Sequence, residues 1–197
     1  MQTLLERVFR HDRAVLIGLL GVVTAACWSW IVPMARDMYG AMTGPSAWMM
    51  TADWDTRRVV LLAAMWSVMM AGMMLPSAAP LLLFYAGSAR QRGGGAQATA
   101  RVYAMAAGYL LVWVGFSLIA TLLQRLLSNT LVLSPMMEIT SPRISGALLI
   151  LAGVYQFTPL KHACLASCSA PVAFLMRRWR DGTSGAFRLG VEHGALC

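Results

Sequence analysis

Charged and apolar positions alternate in long blocks along this chain. The runs 14–35, 59–88, 102–124 and 144–160 contain no Asp, Glu, Lys or Arg. Crossing the hydrocarbon core of a bilayer takes about 20 apolar residues, with roughly 17 as the lower limit. Three runs pass easily, and the fourth reaches the limit before Thr158-Pro159 closes it. Inside lipid every backbone amide must be paired within its own segment, so such runs are expected to be helices. The pattern predicts an all-α fold, a polytopic transmembrane helical bundle of four spans forming one domain over 1–197. Residues 163–176 are only moderately apolar and too few to span. They read as a cytoplasmic interfacial or re-entrant helix that Pro171 would break or kink.

The run 14–35 follows Arg7, Arg10 and Arg13, as in the start of a signal peptide. Its 22 uncharged residues are too many for a cleaved leader, and it is kept as a span. Basic residues set the orientation. Arg7, Arg10, Arg13, Arg90, Arg92, Arg101, Lys161, Arg177, Arg178, Arg180 and Arg188 lie on one predicted side. Arg36, Arg57, Arg58, Arg125 and Arg143 lie on the other, where Asp37, Asp53 and Asp55 offset them. The positive-inside rule then puts the N-terminus and the segment after the fourth span in the cytoplasm.

Composition sharpens this picture. The chain is 58% hydrophobic and 12% charged, where a soluble domain carries about 25% charged residues. The net charge of +8 is spread between apolar runs, so it reads as topology and lipid contact, not nucleic-acid binding. No ionisable residue interrupts a predicted span, which disfavours a proton-driven carrier. The sequence has no phosphate-binding loop, serine elbow, HExxH or paired carboxylates at depth, so no enzyme is expected.

Sulfur stands out. Of 15 methionines, Met65, Met69, Met70, Met73 and Met74 fall within ten positions of the second run. On a helix Met65, Met69 and Met73 share one face, with Met70 and Met74 beside it. Pro76 and Pro80 follow, where a kink frees carbonyl groups. Met34, Met38 and Met42 repeat every four residues, Met49 and Met50 lie in the same outer loop, and Met136 and Met137 in the other. Thioether is a soft, neutral ligand that favours Cu(I). It is equally an adaptable packing group. Trp48, Trp54 and Trp66 read as interfacial anchors.

A second set of soft ligands follows the fourth run. Cys164 and Cys168 are four residues apart, and so are His193 and Cys197. If the two pieces meet, three thiolates and one imidazole suit Cu(I) or zinc. A redox pair and a purely structural role stay open for the same residues. On the cytoplasmic side a stable disulfide is not expected. Cys27, alone in the first run, reads as a packing residue.

Met65-Trp66-Ser67-Val68-Met69-Met70-Ala71-Gly72-Met73-Met74-Leu75-Pro76-Ser77 resembles the signature of a bacterial membrane family, the domain-of-unknown-function family 2182 of predicted metal-binding integral membrane proteins. Gly108 through Trp113, Ala152 through Lys161 with Cys164 and Cys168, Trp179-Arg180-Asp181-Gly182, and Gly190 through His193-Gly194 to Cys197 extend the likeness. The resemblance implies a bacterial inner membrane. It also implies a family that continues past Cys197 with further cysteines and helices, so the chain is expected to end before them. The resulting expectation is a soft-metal protein, with copper as the metal. It would bind at Met65, Met69, Met70, Met73, Met74, Cys164, Cys168, His193 and Cys197, and move the ion across the membrane. Its partners would be the bilayer and a metallochaperone or other membrane subunits. A non-catalytic accessory subunit of a larger complex, or a thiol oxidoreductase using Cys164 and Cys168, are the alternatives.

Overall fold

The first three uncharged runs each fold as a helix that extends beyond the run at both ends. The structure is a computed structural model describing residues 2–51, 53–92, 95–130, 132–134, 138–159, 161–162, 164–165 and 170–197. Helix α1 is Gln2–Met38, α2 Pro45–Met49, α3 Thr56–Arg92 and α4 Gly95–Asn129. Helix α5 is Pro142–Gln156, α6 Pro171–Arg178 and α7 Gly182–Leu196. Three segments, Ala14–Met38, Thr56–Arg92 and Ala96–Asn129, are long and apolar enough to cross a membrane.

Among the described residues the fourth expected run does not yield a further segment of that length. The helix there, α5, is 15 residues, about 22 Å long at 1.5 Å per residue. That falls short of the roughly 30 Å hydrocarbon core. Pro142 opens α5, and at its end the Phe157 N–H donates to the Val154 carbonyl at 3.1 Å. None of its residues is buried. Of the expected helix at 163–176, residues 171–176 lie in α6. Residues 163 and 166–169 lie outside the described set, as do Gly93, Gly94, Met136, Met137 and Cys168. Pro171 opens α6 instead of breaking a helix, because a proline in the first turn forfeits no helical hydrogen bond.

Burial concentrates in two places. One core joins α3, α4, α6 and α7 through Leu82, Tyr85, Met105, Tyr109, Phe174 and Leu189. The other gathers Met49, Met50, Leu62 and Met65 where α1, α2 and α3 meet. Glycines set the closest approaches. A Cβ on Gly72 would lie 2.9 Å from Cys27 Cβ, so α1 crosses α3 there and Cys27 packs as expected. Between α4 and α7 the backbones themselves touch. A Cβ on Gly108 would overlap the Phe187 carbonyl, and one on Gly190 the Met105 carbonyl.

The tetrapeptide Trp179-Arg180-Asp181-Gly182 fastens α7 to α3. The Trp179 ring packs on Tyr85 with centroids 5.1 Å apart, and Arg92 lies over its other neighbourhood at 4.2 Å. Its indole N–H donates to Asp181 at 3.0 Å. Gly182 has φ +79°, the left-handed conformation glycine adopts without strain. Arg178 and Arg180 pair with the two oxygens of Glu192 at 3.1 and 2.7 Å.

Candidate metal-handling sites

The α3 methionines do not converge on one centre. Met65 and Met70 are buried, Met69 and Met74 half-buried, and Met73 is 41% exposed. Helical geometry explains the split. Residues 65, 69 and 73 drift about 40° per step of four around the axis, and α1 and α4 cover different arcs of α3. Met65 therefore joins the α1–α2–α3 cluster, while Met74 packs against the α3–α4–α7 core.

The first cluster is the larger collection of sulfur. Met34, Met38, Met42, Trp30, Trp54 and Trp66 surround the buried Met49, Met50 and Met65. A short polypeptide loop delivers four of these side chains, and one carboxylate ties it down. Asp37 accepts the Thr43 N–H and the Gly44 N–H, each at 3.0 Å, and the Ser46 hydroxyl. Ser46 is fully buried at the head of α2, so Met49 and Met50 are turned onto Leu62 and Met65. Met42 has φ +50°. A left-handed backbone at a residue with a Cβ costs about 1–2 kcal/mol, and glycine is the usual occupant of such a helix-ending position. The strain is held by the Met42 N–H, which donates to the Asp37 carbonyl at 3.2 Å.

Two indoles expected to anchor at the interface, Trp54 and Trp66, instead pack half-buried on these methionines. The Trp66 indole N–H also reaches across to α4, donating to Gln124 at 3.2 Å. Arg58 lies over the Trp54 ring at 4.1 Å and is 1% exposed. Its Nε and one terminal nitrogen have no hydrogen-bond partner. Trp48 is exposed and lies beneath Arg57.

At the other end, Met74 meets a different chemistry. Its carbonyl accepts the Tyr109 hydroxyl at 3.1 Å, in the turn before Pro76. Tyr109 stacks on His193, with centroids 5.7 Å apart, and Phe174 packs against the imidazole at 5.1 Å. His193 is 3% exposed. Burial pushes its pKa below the ordinary value, because the cationic ring cannot be hydrated there. A neutral imidazole is the form that can donate a lone pair to a metal. Its Nε2 lies 3.5 Å from Cys197 Sγ, one helical turn on.

The expected reduced cysteine set is corrected at Cys197, whose sulfur is disulfide-bonded. Reduction would have to precede metal binding there, since thiolate is the ligand form. Cys164 is free and half-buried. Among the described residues no three His, Cys, Asp or Glu side chains come together as a metal-binding group. His193 and Cys197 are thus adjacent, while the described structure does not join them with Cys164.

Two residues with a claim on the site were missed by spacing alone. Tyr109, which links Met74 to His193, lies in the stretch Gly108–Trp113 noted only for its family likeness. Met105, 2% exposed in the same core, contributes another buried thioether one turn away on α4. Small residues Ala186, Gly190 and Gly194, each four apart, are the signal that would have revealed α7 as a packing helix.

No curated protein and no solved structure matches the chain. A family model does match, over residues 63–197, and its description is copper chaperone. The match takes in α3 from its second turn, both ends of the α3 methionine face, Tyr109 and the His193–Cys197 pair. Copper-related metal handling is therefore the chain's family trait, and the chain belongs to the PpoB2 family of copper chaperones.

Proposed function

We propose that this protein is a non-catalytic, membrane-embedded copper carrier that passes Cu(I) along α3 between two soft-ligand ends. One observation carries the reading. A single helix places Met65 in the methionine cluster and Met74 against the core that holds Tyr109 and His193. Nine residues of α-helix separate them by about 13 Å. Met69 and Met70 stand between as intermediate thioethers. Neutral sulfur suits this task, because it binds a soft monovalent ion without burying anions in an apolar surround. Cys164, Cys168, His193 and, once reduced, Cys197 would form the thiolate–imidazole end, which faces the cytoplasm of a bacterial inner membrane in the positive-inside orientation. Copper is the cargo, exchanged with a metallochaperone or another membrane subunit.

The test is Cu(I) passage into vesicles carrying the protein, with a Cu(I)-specific chelator trapped inside. Wild type should load the chelator, and Met69→Leu/Met73→Leu should slow loading at least tenfold. Loading equal to that of empty vesicles, with no copper in the purified protein, would remove the reading.

An accessory-subunit role is the second reading, and α5 favours it. None of its residues is buried, and Gly146 and Gly153 have nothing within 4 Å of a Cβ position. Small residues on an uncovered helix suit packing against a partner helix. Co-purification of a stoichiometric partner without copper would select this role.

A further inference from the structure

Six methionines from three separate stretches of chain meet where α1, α2 and α3 come together. We propose that Met34, Met38, Met42, Met49, Met50 and Met65 form a binding site for one soft monovalent cation, Cu(I), backed by the indole faces of Trp54 and Trp66. The proposal rests on the copper reading and adds to it the place where the ion is first captured. Five of the six methionines precede the family-matched residues, so the family does not supply the site.

Packing alone does not call for this composition. Aliphatic side chains with fixed rotamers specify a core better than flexible thioethers. Leu61 and Leu62 are the cluster's two leucines, against six methionines. Met42 also accepts a left-handed backbone to bring its side chain in, at a position where glycine would be unstrained. The donors are set in place beforehand. Asp37 fixes Thr43, Gly44 and Ser46, and with them the loop that carries Met42, Met49 and Met50. A preorganised donor set spends less of its binding energy on ordering.

Charge at the site sets its selectivity. Aromatic faces attract cations, and Arg58 already occupies the Trp54 face at 4.1 Å. Arg58 lies one turn before Leu62 and two before Met65 on the same face of α3. Its buried guanidinium is a fixed positive charge beside the donors. Coulomb energy scales with the product of charges, so a divalent ion meets twice the repulsion of a monovalent one. Soft neutral donors and a nearby cation together favour Cu(I) over Zn(II) or Cu(II).

The measurement is titration of the detergent-purified full chain with Cu(I) under reducing conditions. Tryptophan fluorescence reports occupancy beside Trp54 and Trp66, and a competing chelator reports affinity. Wild type should bind one equivalent that quenches the fluorescence, and excess Zn(II) should leave the signal in place. Met49→Leu/Met50→Leu should weaken binding at least tenfold and remove the quench. Met176→Leu, at an 81% exposed methionine on α6, should change neither. If the first variant does not fold, Met34→Leu/Met38→Leu on α1 takes the same measurement and must show the same loss. Binding that survives both cluster variants but disappears in Met69→Leu/Met73→Leu overturns the cluster site and leaves the copper reading intact. No Cu(I) binding by wild type overturns both.

Discussion

The methionine cluster and the α4–α7 seam are both buried, yet they are filled by opposite means. In the cluster, long flexible side chains from two helices and a loop fill the space. At the seam there is almost no side chain: Gly108 and Gly190 let one backbone rest on the other. A thioether-filled space can re-form around a guest, because methionine has three soft torsions. A glycine seam admits one register only, since any added carbon meets a carbonyl. The contrast separates a region suited to capture from one suited to holding His193 in place.

The largest effect is expected at the seam. Gly190→Val would drive a branched side chain into the Met105 carbonyl and the Tyr109 amide. The cost should be about 3 kcal/mol, since backbone gives way less readily than side chain. Thermal unfolding in detergent and hydrogen exchange across α7 would measure it. An unchanged midpoint would mean that the seam is looser than the structure shows.

Next comes His193→Ala, which empties the space between Tyr109 and Phe174 and should cost about 2–3 kcal/mol. The same residue predicts a pH dependence. Burial depresses its pKa below 6.5, so folding favours the neutral ring. Its contribution is complete above pH 6.5 and is lost as pH falls through the lower folded value. Unfolding midpoints of wild type and His193→Ala, followed from pH 8 to 5, should converge on the acid side. Parallel curves would contradict a buried neutral imidazole.

Substitution in the cluster should be milder. Met49→Leu/Met50→Leu conserves volume and should shift stability by less than about 1.5 kcal/mol, in contrast with its tenfold effect on Cu(I). A collapse of the fold would show that these sulfurs are structural after all. The smallest effect sharpens the comparison within α4 itself. Gly115 has nothing within 4 Å of a Cβ, so Gly115→Ala should stabilise by up to about 1 kcal/mol, while Gly108→Ala destabilises. Equal effects of the two changes would erase the distinction between seam and open face.

Much of this fold is legible in the sequence because charge is excluded from long helices so strictly. The runs at 14–35, 59–88 and 102–124 sit inside α1, α3 and α4. The fourth run is harder to read because hydropathy counts residues and ignores helix punctuation. Pro142 and the turn at Phe157 cut α5 to a length that no apolar score registers. The sulfur-rich composition is legible too, but its grouping is not. Met49 and Met50 reach Met65 only because Asp37 folds the intervening loop back on itself, a long-range effect of one carboxylate. The seam is hidden for a similar reason. Gly108 and Gly190 are far apart in the chain, and nothing local to either pairs them. Copper, by contrast, rests on side-chain softness, which the sequence displays directly, and the family match agrees with it.

The interlocked glycines carry one more consequence. Two helices that rest carbonyl against α-carbon cannot slide along each other or rock apart without first separating completely. Tyr109, the imidazole beside it and the Met74 carbonyl therefore keep their positions relative to one another. In the carrier role proposed above, motion belongs to the passenger: the ion would hop from atom to atom through a stationary frame.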